Sequence, residues 1–307
     1  MAPEGRVRAS ENEAVALALR QMAELQQAQG ASPFRVAAYR KAAANVEALP
    51  EDVRALFAAR GREGLESIPG VGPGIGAAIA EMLDTGRWAL LERLRGTLEP
   101  EVLFRSVPGI GPGLARRIHD ALGVDTLEAL EVAAHDGTLE RVPGVGLRRA
   151  ATIRAALAEM LDRARLRRRR PPSPADEPEV GVLLDVDGEY REQAAAGALP
   201  TIAPRRFNPA HEAWLPVMHA RRGDWHFTAL YSNTAQAHAR DRTRDWVVLY
   251  FDGGGHPERQ RTVVNETRGA LAGRRVVRGR EGECDAYYAG LRSSSTTSSS
   301  ETCGKLP

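Results

Sequence analysis

Several residue types are scarce in this 307-residue chain, and each scarcity excludes a class of protein. Cys284 and Cys303 are the only cysteines, so the chain has neither a disulfide framework nor the cysteine pattern of a zinc site. No apolar run approaches the length of a membrane span, and residues 1–13 lack the apolar core of a secretion signal. We therefore expect a cytoplasmic protein.

Lysine is almost absent, since Lys41 and Lys305 are the only two lysines among 42 basic residues. Arginine stays charged at ordinary pH and cannot form the Schiff base that a lysine amine forms. The net charge is only +2, and the two halves of the chain each hold nearly balanced charges. Affinity for a polyanion must therefore come from locally placed arginines and not from a global basic field.

The composition changes along the chain and predicts a multidomain protein. Residues 10–162 have apolar positions at three-to-four spacing, which predicts an all-α array. Residues 163–179 are rich in Arg and Pro and then acidic, as is typical of a solvated linker. Residues 180–290 alternate β-branched and aromatic runs with turns, which predicts an α+β domain with a mostly antiparallel sheet. We expect disorder in residues 1–9 and in the Ser/Thr-rich residues 291–307.

Local signals predict individual elements within these regions. Ser10 with Glu13, and Asp125 with Glu128, have the spacing of a capping box at a helix start. The run VGVLLDVD that begins the last domain has the composition of a strand, and EYREQAAAGAL after it is typical of a helix. The sequence DGGGH at 252–256 predicts a hairpin loop between two strands.

One motif occurs three times: an aliphatic residue, Pro, Gly, a second aliphatic residue and Gly, followed by an amphipathic stretch. The copies begin at Ile68, Val107 and Val142. The glycines permit a tight turn, and the second aliphatic residue is expected to point inward. Free backbone N–H groups at the next helix start would then face outward, where the helix dipole favours an anion such as phosphate.

Other glycine motifs fit these copies poorly. A dinucleotide-binding loop needs a preceding strand and wider glycine spacing, and a P-loop needs Gly-Lys-Ser/Thr, which is absent. Three matching copies favour helix-hairpin-helix units that bind the DNA backbone without reading base sequence. The candidate DNA-binding residues of these units are Gly70, Gly72, Gly74, Gly109, Gly111, Gly113, Arg116, Arg117, Gly144, Gly146, Arg148 and Arg149.

Residues 10–160 resemble the amino-terminal half of family X DNA polymerases, especially the bacterial type. The resemblance rests on Asn12-Glu-Ala-Val-Ala, on the segment from Pro33-Phe-Arg-Val through Ala43, and on the three hairpins with Asp84-Thr-Gly86 between the first and second. It implies a lyase-type helical domain at 10–95, a second part at 96–162, and binding of gapped or nicked DNA. It also implies DNA contacts at Arg35, Tyr39, Arg40 and Lys41, and a monovalent cation (Na⁺ or K⁺) at the backbone of Ile68, Val71, Val107 and Ile110.

Two departures from the family argue against catalysis. The family's Schiff-base lysine corresponds to Ala78, and a supporting lysine corresponds to Gly74, so the amine of the lyase step is missing. Lys41 is a poor substitute for this lysine as the nucleophile. No Gly-Ser motif with three carboxylates follows, and we interpret Asp185-Val-Asp187 as a strand end entering a turn and not as a metal-binding pair.

The last domain, residues 180–290, shows no resemblance to a family of known activity. Its histidines lack metal-site spacing, and its tryptophans are expected in the core. Arg274, Arg278 and Arg280 would share one face of a strand, either as a phosphate track or as a solvated surface. Arg205-Arg206 is a similar candidate. The residue types of a hydrolytic site are also present, at Asn233, Thr234, His238, Glu281, Glu283 and Cys284.

Three hypotheses follow. The leading one is a non-catalytic, sequence-nonspecific DNA-binding protein of the nucleoid, acting as a DNA repair accessory factor at gapped, nicked or branched DNA. The first alternative is a nuclease or lyase with its active site in residues 180–290. The second is a protein-interaction scaffold in which the hairpins no longer touch DNA.

Overall fold

The computed structural model describes residues 10–162, 177–253 and 256–298. The predicted disordered start at 1–9, most of the predicted linker and residues 299–307 lie outside these ranges. Within the described residues, an array of short helices is followed by a region with a six-stranded antiparallel sheet, which confirms the predicted fold class.

Short helices joined by tight turns build the first half. The turn after α2 precedes Pro50, and α3 is kinked at Gly61. The helices are α1 (Glu11–Ala28), α2 (Pro33–Glu47), α3 (Val53–Glu66), α4 (Pro73–Thr85), α5 (Ala89–Leu94), α6 (Pro100–Phe104), α7 (Pro112–Leu122), α8 (Leu127–His135) and α9 (Leu147–Asp162), with a 3-10 turn at Thr138–Arg141.

One of the two predicted capping boxes forms. The Glu13 N–H donates to Ser10 Oγ at 3.2 Å, and the Ser10 N–H donates to the Glu13 carboxylate at 2.9 Å. The box predicted at Asp125 and Glu128 is wrong, because Thr126 caps α8 by accepting from the Ala129 N–H. The Asp125 carboxylate instead accepts a hydrogen bond from the sheet, through the Tyr250 hydroxyl.

The second half is an antiparallel meander with helices. Each strand pairs with the next in sequence, and the pairing of β4 with β5 extends to Gly253 and His256. The turn of the hairpin loop predicted at 252–256 lies outside the described residues. The elements are α10 (Val180–Ala195), β1 (Thr201–Ile202), β2 (Leu215–Arg222), β3 (Trp225–Tyr231), α11 (Ala235–Ala239), β4 (Val247–Gly253), β5 (His256–Asn265), β6 (Arg275–Val277) and α12 (Glu281–Ser298).

Two segments differ from their predictions. The run VGVLLDVD begins helix α10 and is not a strand, because Val180, Leu183, Val186 and Tyr190 fall at helical spacing and bury one face against the sheet. Residues 291–298, predicted to be disordered, instead continue helix α12, which ends at Ser298.

The sheet is covered on both faces. Alternate residues of β4 face opposite ways: Leu249 and Phe251 pack with α10 and α12, whereas Val248 and Tyr250 pack in one core with helices of the first half. The backbone also joins the halves, since the Arg205 N–H donates to the Gly96 carbonyl at 2.7 Å. The two predicted domains therefore share a hydrophobic core.

A separate core lies between the second and third hairpin units. It contains Phe104, Ile118, Leu130 and Ile153, all fully buried. The first hairpin therefore belongs to the core shared with the sheet, and the other two hairpins belong to their own. No helix in the described part of the chain is long and apolar enough to cross a membrane.

Candidate nucleic-acid interface

The three predicted hairpins have the same backbone geometry. In each, the N–H of the second aliphatic residue donates to the carbonyl of the first, at 3.0, 3.1 and 2.9 Å in chain order. The intervening glycine has a φ of 82°, 89° and 86° at Gly70, Gly109 and Gly144. Side chains with a Cβ rarely adopt this left-handed conformation, so the motif requires glycine there.

The second aliphatic residue of each hairpin points inward, as the sequence predicts. Val71, Ile110 and Val145 are 4%, 5% and 5% exposed. Val71 packs in the core shared with the sheet, and the other two pack in the core of the second and third units. Each hairpin is thereby packed against the helices of its own core.

The helix starts after the hairpins face open space. Gly72, Gly111 and Gly146 each accept the first helical hydrogen bond, at 2.8 to 3.0 Å, from the residue four positions later. A Cβ added at any of these three glycines would meet nothing within 4 Å. The outward N–H groups of the first helical turn can therefore approach a large ligand, and the helix dipole favours a negatively charged one.

Four arginines lie on the helices after the second and third hairpins, and we call them the hairpin arginines: Arg116, Arg117, Arg148 and Arg149. All four are exposed. None pairs with a carboxylate of the described residues, whereas Arg117 Nε donates to the Pro143 carbonyl at 2.9 Å and Arg149 Nη1 to the Gly144 carbonyl at 2.8 Å. Their charge is available to an anionic ligand.

The first hairpin lacks such arginines but lies against Lys41. A Cβ on Gly70 would be 3.0 Å from Lys41 Cγ, so the exposed lysine of α2 lies directly over the turn. Asn45, one helical turn further along α2, donates from Nδ2 to the Pro69 carbonyl at 2.5 Å. Asn45 was not among the predicted contacts, although its spacing from Lys41 places both residues on one helix face.

Two comparisons with known proteins match this array. Residues 10–88 match the helix-hairpin-helix domain family, and residues 101–159 match the SAM-like helix-hairpin-helix tandem. Over 131 residues the chain is 32% identical to the DNA polymerase/3'-5' exonuclease PolX of Bacillus subtilis (strain 168), which covers 42% of this chain. The amino-terminal half is PolX-like. The match spans only about a fifth of that relative's length, 22%.

Two predicted contacts of the PolX-like half make contacts within the protein in this structure. The Arg35 guanidinium makes a two-pronged ion pair with Asp252 of the β4–β5 hairpin, at 2.9 and 2.7 Å. Tyr39 is 5% exposed and packs against Trp88. Both residues lie on the face of α2 that packs against the sheet, and their role as DNA contacts stays a prediction. Arg40 is exposed and donates to the Gln27 side chain at 2.5 Å.

The position of the family's Schiff-base lysine is closed by the sheet. Ala78 is 7% exposed and, with Gly74, lines a cavity of about 40 Å³. The sheet contributes two carboxylates to that cavity, Asp252 and Glu258, and burial raises the pKa of Glu258. This arrangement offers carboxylates and not an amine at the site where a lyase needs its nucleophile.

The candidate arginines of the second half make contacts within the protein. Arg280 is 7% exposed and pairs with Glu283. Arg278 pairs with Glu266. Arg274 lies over the Tyr288 ring. Arg205 and Arg206 also pair with carboxylates, all of them in the first half (Glu99, Glu101 and Asp120). The prediction that Arg274, Arg278 and Arg280 share one strand face is wrong, because β6 spans only Arg275–Val277. Arg278 and Arg280 instead make ion pairs within the protein.

The residue types of a hydrolytic site do not come together. His238 Nε2 lies 2.6 Å from Asn233 Oδ1, and the His238 ring packs against Phe207. Cys284 lies in the core beneath α10, where its sulfur accepts the Val277 N–H. No cluster of three His, Cys, Asp or Glu with metal-binding geometry occurs among the described residues.

The Asp185-Val-Asp187 sequence has a role that the sequence analysis misjudged. Both aspartates lie on helix α10 and not at a strand end. Asp187 is 1% exposed and pairs with Arg275 at 2.7 Å, and Asp185 pairs with Arg222 at 2.7 Å. These carboxylates fasten α10 to the sheet.

A buried cluster between the halves was also missed. Arg93 of α5 is 5% exposed, pairs with Glu258 at 2.8 Å and lies 3.4 Å from the centre of the Tyr250 ring. The Tyr250 hydroxyl donates to Asp125, and burial raises the pKa of Tyr250. No sequence signal joins these residues, because Arg93 and Glu258 are 165 positions apart.

Proposed function

We propose that this protein binds DNA phosphates without sequence specificity through its three hairpins, and that its targets are gapped, nicked or branched duplexes in DNA repair. The observation that carries the proposal is the repetition of one geometry: three open helix starts, with exposed cationic side chains beside each hairpin. Backbone donors and arginines bind phosphates irrespective of base identity. The similarity to PolX supports the same conclusion.

The division of the hairpins between two cores supports a preference for discontinuous DNA. The first hairpin is fixed to the core shared with the sheet, and the second and third share another core. Two separate groups of phosphate sites suit two DNA segments better than one straight duplex. A gap, nick or branch lets the segments meet both groups, because DNA bends more easily where its stacking is interrupted.

In this proposal the second half of the chain has an accessory role. One face of its sheet packs in a core with the first half, and Arg275 and Arg278 pair with carboxylates within the second half. We therefore assign it to holding the helical array in place, and the hairpins to binding.

Binding of labelled gapped, nicked, abasic and intact duplexes, with and without Mg²⁺ or Mn²⁺, tests the proposal. We expect the tightest binding to gapped DNA, and the same DNA recovered uncut with either metal. Metal-dependent cleavage that disappears in His238→Ala or Glu281→Gln would establish the nuclease alternative. Failure to bind any DNA at low salt would overturn the proposal and favour the scaffold.

We also propose that a monovalent cation, Na⁺ or K⁺, binds the backbone carbonyls of Ile68 and Val71, and of Val107 and Ile110. In the structure the Ile68 and Val107 carbonyls each accept one hydrogen bond within the hairpin, and a carbonyl oxygen can accept a second interaction. Replacing KCl by tetramethylammonium chloride at equal ionic strength should weaken DNA binding, because the larger cation cannot enter the turn. Equal affinity in both salts would argue against the cation.

A further inference from the structure

A second cavity lies between the two halves of the chain, next to the buried cluster around Arg93. Its volume is about 80 Å³, compared with about 40 Å³ for the cavity beside Ala78. Helices α5 to α7 and their connections line one side of it, and strands β1 to β4 and their connections line the other. Its described lining includes no residue of the three hairpins, so this cavity is separate from the proposed phosphate sites.

Arg93 has unused hydrogen-bond donors at this cavity. Its Nη1 donates to Glu258, but Nε and Nη2 are buried and have no hydrogen-bond partner among the described residues. These two groups form one fork of the guanidinium, which can donate two hydrogen bonds side by side. Buried donors that stay unpaired cost free energy, so a ligand that pairs them gains affinity.

Asp125 has an unused acceptor at the same place. Its Oδ2 accepts from the Tyr250 hydroxyl and lies 3.8 Å from Arg93 Nε, which is too far for a hydrogen bond. Its Oδ1 is buried and has no hydrogen-bond partner among the described residues. Arg93, Asp125 and Tyr250 all line the cavity. Its wall therefore presents two free donors beside a free acceptor.

Apolar side chains form much of the remaining lining. They are Leu98 of the first half and Ile202, Leu215, Leu230 and Val248 of the sheet. A buried water molecule needs about two to four polar partners, which these side chains cannot supply. Apolar walls with a few convergent polar groups are typical of a site for a small organic molecule.

The charges around the cavity favour a neutral ligand. The free fork of Arg93 would also suit a carboxylate or a phosphate, but Asp125 and Glu258 already place two carboxylates beside it. Arg206 also lines the cavity and is already paired with two carboxylates of the first half. A further negative charge would be repelled, with no unpaired arginine in the described lining to offset it.

We propose that this cavity binds a neutral six-membered lactam ring, of the kind found in uracil and thymine. A lactam has a carbonyl oxygen beside an N–H group. The oxygen would accept from Arg93 Nε and Nη2, the N–H would donate to Asp125 Oδ1, and the ring would lie between the apolar side chains. A cavity this small suits a single ring better than the fused rings of a purine.

Binding of free uracil to the full chain, without DNA, tests the proposal by isothermal titration calorimetry. We expect saturable binding of uracil, and binding of 3-methyluracil that is weaker by roughly tenfold, because its ring lacks the N–H that would meet Asp125. The inference is overturned if uracil shows no saturable binding, or if the two rings bind equally well.

Two variants locate the ring in this cavity. Leu98→Phe fills the space and keeps every polar group, so uracil affinity should fall by roughly tenfold or more. Leu17→Phe is the matched control, since it places the same ring on a 51%-exposed position of α1. Melting temperatures show whether both variants are folded. Equal uracil affinity in the two variants would place the ring elsewhere and overturn the inference.

A third variant keeps the test valid if Leu98→Phe does not fold. Asp125→Asn preserves the shape of the side chain and removes its charge, so uracil should bind about fivefold more weakly and 3-methyluracil no differently. A purely structural role of Asp125 would change both affinities alike. An unchanged ratio of the two affinities would therefore contradict the proposed contact.

A free pyrimidine and a base turned out of a DNA strand present the same lactam edge, so a last arm separates these two sources. The duplexes carry one U·G mismatch or none. If the ring comes from a strand, Leu98→Phe should lose affinity for the mismatched duplex only, and if it comes as a free base, Leu98→Phe should bind both duplexes as the unsubstituted protein does. A protein that binds uracil but no DNA would refute the proposed function alone, so the two failures are distinguishable.

Discussion

The arginines beside the hairpins and those around the sheet have opposite surroundings. Arg116 and Arg148 are exposed and make no side-chain contact with a carboxylate of the described residues. Arg35, Arg93 and Arg275 instead lie in ion pairs whose members are mostly buried. The same residue type therefore provides charge for a ligand on one surface and fastens the fold on the other.

This contrast explains why the net charge says little about the partner. A total of +2 hides the separation of paired arginines from unpaired ones. The PolX-like half contains both kinds: α2 contributes Arg35 to the sheet interface, while α7 and α9 carry the hairpin arginines. Phosphate binding depends on the local excess of positive charge, because the fields of distant surface charges are screened within about 10 Å at ordinary salt.

The largest expected effect comes from destroying one hairpin. Gly109→Val with Gly111→Val forces a β-branched residue into a φ of 89° and fills the open helix start. We expect DNA affinity to fall by about 3 kcal/mol, roughly a hundredfold, with no new sequence preference. Gly137→Val is the matched control, since its φ is 79° outside the hairpins. An equal loss of DNA affinity in both variants would mean that the loss comes from general destabilisation of the fold.

A substitution at the interface between α2 and the sheet should lower the stability of the fold and leave DNA binding nearly unchanged. Arg35→Ala leaves the partly buried Asp252 without its partner, which we expect to cost about 2–3 kcal/mol of unfolding free energy. Arg35→Ala with Asp252→Ala should recover part of that loss. DNA affinity of the folded variant should stay within about twofold, measured beside a urea titration. A selective loss of DNA binding at unchanged stability would support Arg35 as a DNA contact.

The packing of the sheet against the first half should also weaken in acid, because His219 of β2 takes up a proton. Its Nε2 lies 3.1 Å from Gln29 Oε1, and burial, with the nearby Arg35 charge, lowers the pKa of His219 to about 4. The unfolded chain takes up this proton below about pH 6.5, and the folded chain only near pH 4. Stability is therefore lost as pH falls between these values.

At pH 5 this loss amounts to about 2 kcal/mol. Thermal melts at several pH values, compared with His219→Gln, isolate the effect, because the carboxylates titrate in both proteins. The difference in stability between the two should change over pH 4 to 6.5. A constant difference would show that His219 titrates equally in both states.

The smallest effect is expected at a single hairpin arginine. Arg116→Gln removes one phosphate contact, so affinity should fall about threefold on every sequence and the salt slope should decrease by about one. The unfolding free energy should not change, since Arg116 makes no side-chain contact with a carboxylate of the described residues. A loss confined to particular base sequences would contradict backbone binding.

Patterns that repeat or lie close in sequence were predictable. The three hairpins, the inward Val71, Ile110 and Val145, and the capping box at Ser10 all follow from spacing within a few residues. Helix α10 was mistaken for a strand because its aliphatic residues have high β propensity, and only burial on one face against the sheet selects the helix.

The sequence alone determined the hairpins, because a glycine with positive φ, a buried aliphatic residue and an open helix start are properties of adjacent residues. Tertiary structure alone decided which charges remain for a ligand. Arg35 and Arg116 are indistinguishable as residue types. One meets Asp252, 217 positions away, and the other meets none of the described carboxylates. Such distant pairing is set by how the sheet packs on the helices, which no local pattern encodes.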